Sequence, residues 1–381
     1  MKRNPPRVGI VLFPWASKGP YGFVDEIIEI ISPLCSSITV ITGETGLLKK
    51  EERMRIVEVG FRLHYVKEAR VPMLSVFSWI FKSVAFQVKT SVEIFKNREY
   101  LDLIFFLAYP YHVLPLLTTR ILKIRSVEMV TRGKGNIKGV SGIINRFMEK
   151  VTYFLCSSIA VETRALANYI GNESSKEKII GEAARFVNID RTRNIDLVSN
   201  RKCTIAYIGR FRREKGVLEF VQAASSLVKD MNCNILIVGS GDLESDVHSL
   251  ISRMTPDIKE KIRLRGWATK KEVEEILSEI KILVIPSESE GLPTIVLQSM
   301  AMGAIVLSTN VGGLKDIIID GETGFFLMNN SPKAIVESIE KIIGSSKLDE
   351  ISQNAMRIIN EQYSIEAARG RYLKLLDRAL E

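Results

Sequence analysis

The chain has 381 residues, 46% hydrophobic and 25% charged, enough for two hydrophobic cores and too apolar for a disordered protein. Its formal net charge of +9 lies in the first half: residues 1–200 hold 29 Lys/Arg against 19 Asp/Glu, whereas residues 201–381 hold 24 against 25. Cys35, Cys156, Cys203 and Cys233 stand far apart without a C-x-x-C pair and read as reduced thiols, and the three histidines, His64, His112 and His248, argue against a histidine-built metal centre.

The start, MKRNPPRVGIVLFPWASKG, has a short apolar core that holds Pro14 and runs into a domain-like pattern, so it reads as a first strand over 7–13 rather than a leader. Further strands are predicted at 37–43, 61–66, 101–107, 127–131 and 157–162. Between them, VPMLSVFSWIFKSVAFQVK (71–89) is an apolar helix with scattered lysines, suited either to core packing or to peripheral membrane contact. The richest apolar window, 103–117, is interrupted by Pro110 and Pro115, so no spanning helix is expected. The basic first half suits anionic membranes, phosphorylated acceptors or nucleic acid, with a plain solvated surface as the alternative. No stacking-aromatic and basic motif supports nucleic acid.

The polar run 188–202 marks the seam. Beyond it, strands are predicted at 204–209, 234–239, 261–266, 282–287, 304–309 and 325–327, with helices over 215–231 and 271–280. Such alternation implies parallel sheets with helices on both faces, whose ligands bind beyond the carboxyl ends of the strands.

Three of the strand-end loops carry candidate chemistry. In GRFRREKG (209–216), Gly209 closes the strand while Arg210 and Lys215 flank a turn and could neutralise a diphosphate; a solvated charged loop is the alternative. VGSGDLES puts Gly239 before a turn but lacks the dinucleotide fingerprint, and no Walker-type G-K-[ST] occurs. Hydride transfer and P-loop hydrolysis therefore lose ground. In SESEGLPTIVLQSMAMG (287–303), Glu290 and the turn Gly291–Leu292–Pro293–Thr294 lead into a helix, with Pro293 suited to the first turn. The helix tip offers backbone donors and positive partial charge to a phosphate. Gln298 stands about 7–8 Å further along the axis, the distance of a ribose.

Taken in order, IGRFRREKG, VGSGDLES, RGWATKKEV, VIPSESEGLPTIVLQSMAMG and STNVGGLKDIIIDGETGFF make residues 204–327 resemble the donor domain of the retaining glycosyltransferases of family 4 (glycosyl transferases group 1), of GT-B fold. The resemblance implies an α/β protein with two doubly wound Rossmann-like domains facing across a cleft. Residues 1–196 would form the acceptor side, 197–360 the nucleotide-sugar side, and 361–381 a helix returning to the first domain. It implies that Arg210 and Lys215 hold the donor diphosphate, that Glu290 touches the donor sugar as first member of E-x7-E, and that Arg265, Gly266 and Trp267 meet the base. Gln298 falls on the second glutamate of that motif, so weaker ribose recognition is expected. Gly19 and Tyr21, in SKGPYGF (17–23), stand at the family's glycine-rich loop, and Arg132 replaces a histidine many members carry. His112, alone in an apolar run, reads as structural.

The implied reaction is retaining sugar transfer from a nucleotide-diphosphate sugar to an acceptor hydroxyl, with no cofactor and no metal. The expected acceptor is a glycan or lipid-linked saccharide; a small metabolite, or a catalytically silent nucleotide-sugar-binding protein, are the alternatives. The expected location is cytoplasmic, with contact at the cytoplasmic membrane face.

Overall fold

The computed structural model describes residues 4–12, 19–43, 53–60, 73–107, 112–131, 140–168, 170, 173–183, 185–187 and 195–381. The chain divides into two compact units, Met1–Arg185 with Ala368–Glu381, and Phe186–Ala367. The first boundary thus falls before the one expected at 196, and the return falls after 361. Two contacts account for the first shift: Val187 N donates to Tyr363 O at 2.8 Å, and the Val187 side chain packs in a core of the second unit.

The first unit is built on the parallel strands β1 (Arg7–Leu12), β2 (Ser37–Thr42), β3 (Met54–Glu58), β4 (Leu103–Leu107), β5 (Arg125–Val130), β6 (Ser158–Val161) and β7 (Ile179–Glu182). They are ordered β3-β2-β1-β4-β5-β6-β7. Its helices are α1 (Gly19–Ile31), α2 (Met73–Lys96), α3 (Val113–Ile121), α4 (Val140–Leu155) and the short α5 (Arg164–Ala167) and α6 (Glu173–Lys176). The central β4, LIFFL, is buried at every position, as a strand covered on both faces must be. The edge strands β3 and β7 are half-buried and were not expected; the strand expected at 61–66 lies outside the described residues. The loop expected over 17–23 is, from Gly19 onward, the start of α1.

The second unit carries β8 (Thr204–Ile208), β9 (Asn234–Val238), β10 (Ile262–Arg265), β11 (Ile282–Ile285), β12 (Ile305–Thr309) and β13 (Phe325–Leu327), ordered β10-β9-β8-β11-β12-β13. Around them lie α7 (Val217–Met231), α8 (Glu244–Ser252), α9 (Pro256–Glu260), α10 (Lys270–Glu279), α11 (Thr294–Ala301), α12 (Pro332–Ile343) and α13 (Leu348–Tyr363). The last helix, α14 (Ile365–Leu380), passes into the first unit, where Tyr372 is fully buried and meets the Phe105 ring edge-on at 6.4 Å.

Period-two alternation along β8 feeds two cores. Ile205 and Tyr207 face Phe220 and Leu227 of α7, whereas Ala206 and Ile208 face the layer of Leu277, Val296 and Leu297. Each such large side chain contributes roughly 1.5–3 kcal/mol on burial. Below the sheet, Arg201 is buried and donates to the carbonyls of Ile280 at 2.9 Å, Met302 at 2.6 Å, Leu277 at 3.3 Å and Asp196 at 3.3 Å. It closes the ends of α10 and α11, where negative partial charge collects.

The cysteines need a correction. Cys203 and Cys233 form a disulfide, with Cα atoms 4.9 Å apart. They precede Thr204 and Asn234, which are register partners in the parallel pair β8–β9, so a crossover through α7 brings together thiols 30 residues apart. Cys35 and Cys156 are free and buried, and burial pushes both thiols up to about 12.

Candidate active site

Parallel strands share one carboxyl edge, and in the second unit the loops leaving it are stitched together by backbone. Gly209 N donates to Val238 O at 3.0 Å, Gly239 N to Arg265 O at 3.0 Å, and Phe211 N to Ser240 O at 2.9 Å. Glu288 N reaches Glu214 O at 2.9 Å, and Gly313 N reaches Gly291 O at 2.9 Å. Two glycines make the approach possible. A Cβ on Gly239, at φ +145°, would collide with Gly209 O, and one on Gly312, at φ +54°, with Glu290 O.

On this edge the loop after β8 meets the loop after β11. Lys215 Nζ lies 2.7 Å from Glu290 Oε1, with side chains 17% and 12% exposed. Ser287 Oγ donates to the same oxygen at 2.7 Å, and Lys215 also reaches Ser289 O at 3.3 Å. Ser287 is itself held, since Thr309 Oγ1 donates to its carbonyl. Neither Ser287 nor Thr309 was singled out from sequence. The S-x-x-E spacing of Ser287 and Glu290 was the available signal, because three residues of a tight loop let a hydroxyl reach a carboxylate.

Arg210 is exposed on the same loop, and its carbonyl accepts from Tyr207 Oη at 2.9 Å. Burial raises the Tyr207 phenol above its ordinary range, and the nearby charge of Glu290 adds to it. Leu292 is buried as an anchor for the turn. Pro293 is the N-cap of α11 at φ −67° and ψ 122°, one place earlier than expected, and its carbonyl accepts from Val296 N at 3.0 Å. Thr294 opens the helix, and Gln298 is half-buried farther along it.

After β10, Arg265 pairs with Glu272 at 3.3 Å, while Gly266 has open space beside it and Trp267 is 68% exposed. Thr269 and Glu272 form a capping box on α10, fixing this corner. Hydrogen bonds from Thr269 hold the Glu272 carboxyl below its usual range, with Arg265 adding to them. Gly209, Arg210, Lys215, Glu290 and Gly291 therefore stand on linked loops, Gly239, Arg265, Gly266 and Trp267 beside them, and Leu292 to Gln298 on the helix entry.

In the first unit, Gly19 and Tyr21 lie in the backbone of α1, and Arg132 lies outside the described residues. His112 is fully buried against the Phe106 ring at 5.3 Å, its Nε2 3.3 Å from Leu107 O. At the end of β6, Arg185 bonds Glu162 at 2.6 Å and approaches Glu26 at 3.4 Å, with its guanidinium 4.8 Å over Phe23. Among the described residues, no group of three His, Cys, Asp or Glu side chains is placed to hold a metal ion.

Two doubly wound parallel-sheet units define the GT-B class. The likeness to Anabaena Alr3699/HepE, solved with UDP and also with UDP-glucose, agrees: TM-score 0.76 at 13% identity, covering 98% of this chain and 100% of that one. Residues 188–358 match the family model of the glycosyl transferases group 1. Among curated relatives, the capsular polysaccharide biosynthesis glycosyltransferase CapM of Staphylococcus aureus is 26% identical over 64% of this chain and 66% of its own length. The N-acetyl-alpha-D-glucosaminyl L-malate synthase of Bacillus anthracis is 23% identical over 46% of this chain and 45% of its own. The alignments thus span less than two thirds of either relative.

Proposed function

We propose that the chain is a retaining, metal-independent glycosyltransferase of family 4. It moves a sugar from a nucleotide-diphosphate sugar to an acceptor hydroxyl in glycan, lipid-linked saccharide or surface polysaccharide synthesis in the cytoplasm. The observation that carries this reading is the Lys215–Glu290 pair at 2.7 Å, which joins the ends of β8 and β11 beside the entry of α11. As the bond from sugar to diphosphate breaks, negative charge grows on the leaving oxygen. Lys215, Arg210 and the helix terminus supply the positive charge that stabilises that oxygen. Glu290 pairs with Lys215 before the donor arrives and accepts from a sugar hydroxyl once phosphate has taken its place. Gln298 is assigned to the ribose, and Arg265, Gly266 and Trp267 to the base. Gly19, Tyr21 and Arg132 are assigned to the acceptor side. The acceptor attacks the face from which the diphosphate departs, so the anomeric configuration is kept.

UDP-glucose is the first donor to try, because HepE has been solved with it. A thermal-shift panel of UDP-, GDP- and ADP-sugars reads the nucleotide, and a ligand at a hundredfold its Kd stabilises by about 2.7 kcal/mol. Arg210→Ala and Lys215→Ala should each lose most of that response; full retention in both overturns the phosphate assignment. Transfer should survive EDTA, and proton NMR of the first product reports its anomer. Gln298→Glu should tighten donor binding severalfold, and unchanged or weaker affinity counts against the ribose role.

A small soluble acceptor is the second reading, favoured by the name of the Bacillus anthracis relative. Transfer to hydroxy acids but not to membrane extracts would select it. Gln298 favours a third, a binding protein without catalysis, which predicts a thermal shift and no turnover.

A further inference from the structure

Three neighbouring helices of the first unit bury one face and leave an apolar stripe on the other. Their inner sides join one core, with Phe86 and Ile94 from α2, Leu116 from α3, and Cys156 just after α4. On α2, Phe81, Val84, Val88, Val92 and Phe95 are exposed, and their spacing confines them to an arc of about 80° at 100° per residue. Opposite them lie the buried Ser83, Phe86, Thr90 and Ile94. Leu114, Leu117 and Ile121 repeat the pattern on α3, and Ile143, Phe147 and Phe154 repeat it on α4. Phe81 is 74% exposed, Ile121 79%, Phe147 65% and Phe154 68%. Single exposed apolar residues need no explanation, but aligned stripes on three helices that pack side by side do.

Cations border the stripes. Lys82, Lys89 and Lys96 recur every seventh residue along one flank of the α2 stripe, and Arg146 and Lys150 sit within the α4 face. Across α2, α3 and α4 there are six basic residues against two acidic ones. At the helix ends the two chemistries meet: Arg98 lies 4.6 Å over the Phe95 ring, and Arg120 and Lys178 lie 5.5 and 5.9 Å from the Phe154 ring. Apolar rings flanked by long cationic stems suit a boundary between hydrocarbon and anionic headgroups. A second copy of the chain fits worse, because a shared face would set like charges against each other.

We propose that the outer face of α2, α3 and α4 docks on an anionic membrane surface, with the Phe, Val, Leu and Ile stripes entering the headgroup boundary and the Lys and Arg residues meeting lipid phosphates. No described helix is long and apolar enough to cross a membrane, so the contact lies in the plane of the surface. The proposal stands apart from the donor reading, since none of these residues belongs to the candidate active site.

The test is flotation of the full chain with vesicles of phosphatidylcholine alone or mixed with phosphatidylglycerol. The chain should float with the mixed vesicles, weakly with neutral ones, and less as salt rises. F81S/F147S/F154S and K82E/K150E should each weaken partitioning by about tenfold or more, since each lost surface cation alone costs about fivefold. Circular dichroism and Tm equal to the parent's show that both variants fold. No flotation of the parent, equal flotation of parent and variants, or a concentration-dependent dimer that F81S/F147S/F154S abolishes would each overturn the proposal.

Discussion

The two units share one architecture and dress it differently. In the second unit, large apolar side chains reach solvent at Leu197, Trp267, Ile319 and Met328, none of them forming a helix stripe, while helices such as α12 carry outward pairs like Lys333–Glu337 at 3.7 Å. In the first unit the described outer side chains of α2, α3 and α4 are mostly apolar and cationic. Parallel-sheet topology dictates where helices cover strands and leaves their far sides open to selection. The second unit gathers its linked glycines and paired charges at strand ends, and the first lays exposed apolar and cationic residues along helix faces.

That contrast can be broken most sharply by mutation at the strand ends. Lys215→Ala or Glu290→Ala should lower transfer by roughly 10²–10³-fold, the scale of losing one fixed charge or donor at a reacting centre. Steady-state rates with the identified donor check this, and near-parental rates in both variants would remove the second unit's claim to the chemistry. Next in size is Arg201→Ala, which removes a buried guanidinium from the carbonyls of Leu277, Ile280, Met302 and Asp196, the first two buried, and should destabilise by about 2–4 kcal/mol in a denaturant titration.

In the first unit the comparable test is acid. Burial lowers the His112 pKa to about 4 from an ordinary 6.5, so the fold accepts only the neutral ring. Below pH 6.5 the unfolded chain binds the proton first, and stability present above that pH is lost as pH falls toward 4, by roughly 3 kcal/mol. Denaturant midpoints at pH 7 and pH 4.5 measure the loss, and His112→Leu should flatten it. Burial raises the Glu128 carboxyl in the opposite sense, so its cost grows as pH rises above its ordinary range and Glu128→Gln should stabilise at neutral pH. The smallest effect belongs to the outer stripe: F81S/F147S/F154S should change stability by no more than about 0.5 kcal/mol per substitution, because those rings are mostly exposed. A large fall in Tm would make the stripe part of the fold instead of a surface.

How much could be read in advance follows the same division. Central strands such as LIFFL announced themselves as continuous apolar runs, while β3 and β7, half-buried at the edges, carried too little hydrophobic signal. Lys215 and Glu290 were legible as types at strand ends, but their direct pairing, and the Ser287–Thr309 support behind it, join loops far apart in sequence that only the folded sheet brings together. Cys203 and Cys233 were misread for that reason, since only parallel register puts them side by side. The segment 71–89 left core and membrane as alternatives, and the described part of α2 has both a buried side and an exposed apolar side.

The passage of α14 into the first unit has a consequence for biosynthesis. Tyr372, Leu375 and Leu376 help complete that unit's interior, yet they leave the ribosome after all of Phe186–Ala367. The second unit can therefore mature as a contiguous piece of nascent chain, while the first waits with a gap in its interior until the last helix emerges. A truncation before Ala368 should yield a first unit that chaperones retain and proteases trim, beside a second unit that survives digestion intact.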